Sequence, residues 1–207
     1  MKITNLTVSY DGMPVIDRLN LEIGDGITCI MGESGLGKTT LLHTIAGLIK
    51  PDSGEIEGAP VRPAVMFQED RLLPWFSALK NLETVCSDTG RALEMLRAVE
   101  LEEASDKLPD ELSGGMKRRV ALARTLLFDS DMLILDEPFK GLDEALTGRI
   151  AGLIREVKVP VIVATHAESD VELLGAKKIV LRKQDQNRES LSGDITPEET
   201  KDLKAAF

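Results

Sequence analysis

The sequence predicts an α/β fold with a mainly parallel core sheet, an antiparallel β flank and a helical subdomain. Three observations predict it. Short apolar runs, at residues 27–31, 132–135 and 159–165, alternate with segments of helical periodicity. That is the pattern of a parallel sheet covered on both faces. The N-terminal runs instead alternate apolar with polar residues, as half-exposed antiparallel strands do. Between residues 68 and 112 strand signals stop and helical spacing takes over. A chain of 207 residues accommodates one well-packed domain with a small subdomain.

Each element follows from its own pattern. Residues 2–10 place Ile3, Leu6 and Val8 among polar neighbours, and Asp11-Gly12 turns the chain. Leu19, Leu21 and Ile23 alternate again before Gly24-Asp25-Gly26 leads into the apolar strand 27–31. A helix over 40–48 ends at the turn Pro51-Asp52-Ser53-Gly54, and residues 63–67 read as a strand. Residues 77–86 and 89–99 are helical, with Leu93, Leu96 and Val99 on one face and Pro109 as a stop. From Ser113 a helix carries the stripe Met116, Val120, Ala123, Leu127. Strand 132–135, helix 143–157, strand 159–165 and a short strand at 179–181 complete the alternation. After Arg182 the chain is polar, apart from a short helical pattern at 197–207. This gives a domain over 1–182, a helical subdomain over about 69–128 inside it, and a polar C-terminal tail over 183–207.

Composition narrows the classes. Aromatics are 3% against 43% hydrophobic residues, so the core must be aliphatic. A net charge of −10 argues against a nucleic-acid partner, because a phosphate backbone needs a positive footprint. The two cysteines, Cys29 and Cys86, read as buried or helix-end residues in a reducing compartment rather than as a disulfide. The start Met-Lys-Ile-Thr lacks the apolar core of a signal peptide, and no apolar stretch approaches the ~20 residues of a membrane span.

Gly32-Glu33-Ser34-Gly35-Leu36-Gly37-Lys38-Thr39 fits the phosphate-binding pattern G-x-x-x-x-G-K-[ST], between a strand and a helix. Its glycines allow backbone conformations that turn successive N–H groups inward on phosphate oxygens, and the helix N-terminus adds to the positive field. Lys38 is placed for the β- and γ-phosphates, Thr39 for Mg²⁺ and Thr40 for the α-phosphate. The loop specifies a P-loop nucleotide site but not a function, since kinases, GTPases and transport ATPases all satisfy it.

Two further features narrow the function. Strand 132–135 ends in Asp136-Glu137, and ligands of parallel sheets sit beyond the carboxyl ends of the strands. Asp136 is therefore placed to hold Mg²⁺ through water, and Glu137 to orient or deprotonate a water aimed at the γ-phosphate. Ser113-Gly114-Gly115 opens a second helix with a good N-cap and exposed N–H groups. The second is an ordinary loop-to-helix cap unless it has a use beyond the one nucleotide that one chain binds. The second is explained if it serves the nucleotide of another copy.

With these residues in order, the chain resembles the nucleotide-binding subunit of an ABC transporter over about residues 1–182. The motifs are the P-loop, Gln68 after strand 64–67, Leu112-Ser113-Gly114-Gly115, Asp136-Glu137-Pro138, Gly141-Leu142-Asp143, and His166 after strand 161–165. The resemblance implies that Tyr10 stacks on adenine, although a strand-end tyrosine is otherwise a core residue. It implies that Gln68 contacts Mg²⁺ and the attacking water, that Asp143 bridges two subunits, and that His166 contacts the γ-phosphate. It further implies ATP and Mg²⁺ as ligands. The partners it implies are a second ATPase subunit, an integral membrane permease and an external solute-binding protein. The location it implies is cytoplasmic, on the inner face of the membrane through the permease. Met116 stands where Gln is common, Glu33 puts a negative charge in the loop that either weakens affinity or points outward, and Lys117-Arg118-Arg119 reads as a basic run facing phosphate and solvent.

The run Phe67-Gln68-Glu69-Asp70-Arg71-Leu72-Leu73-Pro74-Trp75 resembles the nitrate, sulfonate and taurine importer group. Leu72, Leu73, Trp75 and Phe76 either line a groove for a permease helix or pack the helical insertion on the main domain. A soluble ABC-type ATPase acting on DNA or in translation, or the ATPase of a split exporter, are the competing readings.

Overall fold

A computed structural model describes residues 1–182; the tail and its helical pattern at 197–207 lie outside the described residues. The chain opens with an antiparallel hairpin of β1 (Lys2–Tyr10) and β2 (Met13–Glu22). Asp11 and Gly12 both have positive φ, the two-residue turn whose twist matches that of the flanking strands. Ile3 and Leu6 are three residues apart and would face opposite sides of a regular strand. The ladder shifts register between them, with Asn5 at φ 49°, and so both side chains reach the core. Arg18, also at φ 49°, does the same for Ile16 and Leu19 on the facing strand.

Next come β3 (Ile27–Met31), α1 (Lys38–Ile45) and β4 (Ser53–Glu57). Strand β4 carries only Ile56 as an apolar contact with the core, which is why no alternation announces it; it closes a three-stranded sheet in the order β2-β1-β4. Then follow β5 (Pro63–Met66), α2 (Ala78–Glu83), α3 (Thr89–Ala98), two short 3-10 turns and α4 (Gly114–Leu127). The buried face of α3 is Ala92 and Leu96, continued by Val99; Leu93 is only half-buried. The chain then runs through β6 (Met132–Asp136), α5 (Glu144–Glu156), β7 (Val161–Ala164), α6 (Glu168–Leu174) and β8 (Lys177–Val180). Helix α6 is rich in acidic residues and too short to show a helical period in the sequence.

The second sheet is five-stranded and parallel in the order β5-β6-β7-β3-β8. Its strands feed two cores. Ile30, Met132, Ile134, Ile162 and Ala164 face α1 and the antiparallel sheet. Cys29, Leu133, Leu135, Val161 and Val163 face α4, α5 and α6. Both faces of β3, β5, β6 and β7 are covered, so these strands are predominantly apolar, whereas the edge strand β8 carries Lys177 and Lys178 and is mostly exposed. A third apolar cluster joins α2 and α3 to one side of α4, through Leu82, Leu96, Val99, Val120, Ala123 and Leu127. Helix α4 thus belongs to two cores at once. Among the described residues no helix is long and apolar enough to cross a membrane.

Candidate active site

Because the five strands are parallel, all their carboxyl ends meet at one edge. Each neighbour delivers a polar segment there: β5 delivers Gln68, β6 Asp136 and Glu137, β7 His166, and β3 the loop 32–39. Hydrogen bonds past the strand ends hold these segments in register. Glu137 N donates to Ala164 O (2.9 Å), Thr165 N to Ile30 O (3.2 Å) and Leu181 N to Met31 O (2.7 Å).

A cleft of about 410 Å³ opens at this edge, lined by Ser34, Gly35, Gly37, Lys38, Thr39, Thr40, Gln68, Asp136, Glu137 and His166, with Val15 and Lys140. The loop needs its glycines for space as well as conformation. At Gly32 (φ +154°) a Cβ would lie 2.9 Å from the Leu181 carbonyl oxygen. At Gly37 (φ +83°) it would lie 3.0 Å from Val15 and 3.1 Å from that residue's carbonyl oxygen. Helix α1 has no side-chain N-cap; Gly37 precedes it in the left-handed region, leaving the first N–H groups to the cleft. Lys38 Nζ donates to Gly32 O (2.7 Å) and Glu33 O (3.0 Å), which holds the ammonium across the loop. Glu33 itself is exposed and does not line the cleft.

Thr39 Oγ1 donates to Asp136 Oδ2 at 2.7 Å, although the two are far apart in sequence. Glu137 has a positive φ of 51°, an uncommon value outside glycine, and it is set at the strand end where its backbone is bonded on both sides. His166 Nδ1 lies 2.9 and 3.1 Å from the two Glu137 carboxylate oxygens. A carboxylate only accepts, so Nδ1 carries the proton. Glu137 is 16% exposed and His166 74%, so the carboxylate is sheltered while the ring stands at the mouth. Behind it, Thr165 Oγ1 donates to the buried Asp170 carboxylate and accepts from Ala167 N (3.1 Å), fixing the segment that carries the histidine.

The fit of a nucleotide with a hard divalent cation rests on this geometry. Left-handed glycines and a helix N-terminus make an anion cradle, and a hydroxyl and a carboxylate oxygen stand side by side at its foot. Among the described residues no group of three or more His, Cys, Asp or Glu could hold a metal alone. Mg²⁺ does not need one, since it keeps waters and leans on phosphate oxygens.

Other expected residues lie elsewhere. Ser113 caps α4, accepting from Met116 N (3.3 Å), and Asp143 caps α5, accepting from Leu146 N (2.9 Å). A Cβ at Gly115 would lie 3.5 Å from the Gly141 carbonyl oxygen, so the two helix starts adjoin on one surface. Neither Ser113, Gly114, Gly115, Asp143 nor the half-exposed Tyr10 lines the cleft. The basic run is not a solvated face. Arg118 is 5% exposed and donates to backbone carbonyls beneath the cleft; Arg119 donates to Val99 O (2.7 Å) and Glu100 O (3.1 Å). The helix phase carries the signal, because 118 shares a face with Ala121, Leu122 and Thr125, all buried. Leu72 packs against two of the apolar cores, whereas Trp75 is 84% exposed beside the exposed Leu73 and Phe76.

The ABC transporter family model matches residues 16–140 of the chain. The chain is similar to the aliphatic sulfonates import ATP-binding protein SsuB 2 of Paraburkholderia xenovorans, 41% identical over 88% of this chain and 76% of that protein. It is similar to the taurine import ATP-binding protein TauB of Mesorhizobium japonicum, 35% identical over 85% and 77% of the two chains. Among solved structures, the dimeric post-hydrolysis state of the ATP-binding cassette MJ0796 bound to ADP and Pi superposes with a TM-score of 0.79 at 29% identity. It covers 93% of this chain and 99% of that one.

Proposed function

Since this chain belongs to the ABC transporter family and is an ATP-binding, ATP-hydrolysing subunit of such a transporter, we propose that it is the motor of an importer of the sulfonate or taurine type. It would work with an integral membrane permease and an external solute-binding protein, which choose the solute. Residues 1–182 form the ATPase domain, with about 69–128 as its helical subdomain. The observation that carries the chemical reading is the pairing of Thr39–Asp136 and Glu137–His166 across a single glycine-walled cleft.

In that cleft the loop N–H groups and Lys38 bind the phosphates of ATP. Thr39 and Asp136, with Gln68, would hold Mg²⁺, which when bound neutralises charge on the phosphate oxygens. Glu137 takes the proton of the attacking water, and His166, held by Glu137, presents its other ring nitrogen toward the γ-phosphate. The half of the site that one chain lacks comes from a second copy. Ser113, Gly114 and Gly115 of one subunit close over the nucleotide on the other's loop, with Asp143 beside them and Tyr10 under adenine. The separation of those residues from the cleft within one chain supports this head-to-tail pair.

The test is Glu137→Gln in the full-length protein. Removing a general base costs ~10²–10⁴-fold in turnover. The variant should bind ATP, lose at least about 100-fold in hydrolysis, and run as an ATP-dependent dimer on a sizing column. Hydrolysis at the parent rate would remove Glu137 from the role of base.

A further inference from the structure

We infer that Arg118 is a positioning residue that ties the seat of α4 to the geometry of Glu137 and Gln68. Its guanidinium lies beneath the cleft and spans two loops. Nη1 donates to Phe67 O (2.7 Å) and Gln68 O (3.0 Å), and it sits 3.3 Å from Asp70 Oδ1. Nη2 donates to Asp136 O and to Glu137 O, the latter at 2.8 Å. The carbonyls of the residues that carry the base, the metal carboxylate and the glutamine are therefore gathered on one fork. The side chain is 6% exposed and its Nε–H has no partner among the described residues.

Holding a charge at this depth, with one donor unused, is a costly way to stabilise a fold; an apolar side chain of similar volume often does as well. A planar fork does what an apolar residue cannot: it fixes two strand ends relative to each other and to the helix that bears it. That helix is α4, and Arg118 lies roughly one and a half turns from its Ser113 cap. This inference rests on the paired-subunit reading, in which the start of α4 engages the other copy's nucleotide. Seating of α4 then sets the carbonyls of Glu137 and Gln68 through Arg118, so turnover depends on Arg118 while nucleotide affinity does not.

Arg118→Lys and Arg118→Gln test this in the full-length protein, through kcat, KM and the affinity for a fluorescent ATP analogue with Mg²⁺. A lysine keeps the charge but reaches only one loop. Both variants should bind the analogue within about threefold of the parent and lose about tenfold or more in kcat, a split that loss of fold would not give. If Arg118→Gln does not fold, Arg118→Lys decides. Parent-like turnover in Arg118→Lys, or an affinity loss that matches the fall in turnover, overturns the inference. In a Glu137→Gln background, both Arg118 variants should still dimerise with ATP. Failure of Glu137→Gln alone to dimerise would instead strike the paired-subunit reading.

Discussion

His43 sits on α1 edge-on to Phe67, ring centroids 5.3 Å apart, and Arg71 lies 3.9 Å from the centroid of the same ring. Desolvation lowers the imidazole below its ordinary 6.5, outweighing the pull of Asp136. The unfolded chain therefore takes up this proton at a higher pH than the fold does. Between the two values stability falls as pH falls. Replacing His43 by Gln should remove that part of the acid loss. Urea midpoints at pH 7.5 and 5.5 should drop further for the parent than for the variant, and equal drops would rule the effect out. Cys29 shows the same physics with the opposite sign: burial, with a smaller push from Asp170, raises its thiol to about 11. The sequence places Cys29 in a buried strand correctly, because Ile27, Ile30 and Met31 around it are apolar. It does not place Arg118, since three basic residues in a row suggest solvent until the helix phase is laid over them.

Helix α4 shows how one element serves several surfaces. Its apolar residues enter two cores, its N-terminus stands free of the cleft, and its three arginines donate to loop carbonyls around it. Arg124 reaches Arg71 O (2.9 Å), and its neighbour in that network is Asn81 on α2. Asn81 is fully buried; it accepts from Leu73 N (2.9 Å) and donates to Phe76 O (2.9 Å) and Leu73 O (3.2 Å). That amide shapes the loop over 73–77 in place of regular secondary structure. Asn81→Ala should cost about 1–3 kcal/mol in urea unfolding, because part-buried backbone groups lose their partner. Hydrogen exchange should rise over the same loop first. A variant as stable as the parent would show that water replaces the amide. Apolar spacing finds α2, α3 and α4, but α2 and the C-terminal end of α3 stop further inward, where caps and turns take over. Strand β4 is invisible in the sequence because its side chains scarcely enter the core.

At the scale of the molecule, the exposed Trp75, Leu73 and Phe76 lie on the loop that Asn81 and Arg124 hold, soon after Gln68. Of the two readings of this apolar run, packing claims Leu72 and exposure claims the rest. An exposed apolar patch on a braced loop suits a membrane partner's helix. Trp75→Ala combined with Leu73→Ala should keep ATP hydrolysis by the isolated subunit within about twofold, since neither residue lines the cleft. Transport with the permease should fall by tenfold or more if these side chains are anchors, as interface aromatics commonly are. Undiminished transport would show that the patch does not carry the coupling.

The strands other than β4, the glycine loop and the Asp136-Glu137 strand end are readable along the chain, because each is a local pattern of apolar period and turn chemistry; His166 stands out only through the family resemblance. Which strands adjoin is not readable in this way. The order β5-β6-β7-β3-β8 brings Thr39 to Asp136 and Glu137 to His166, and no local rule contains that adjacency. The helix phase turns Arg118 inward, but only the tertiary structure decided what it meets there, for the Phe67 and Glu137 carbonyls come from strand ends remote in sequence.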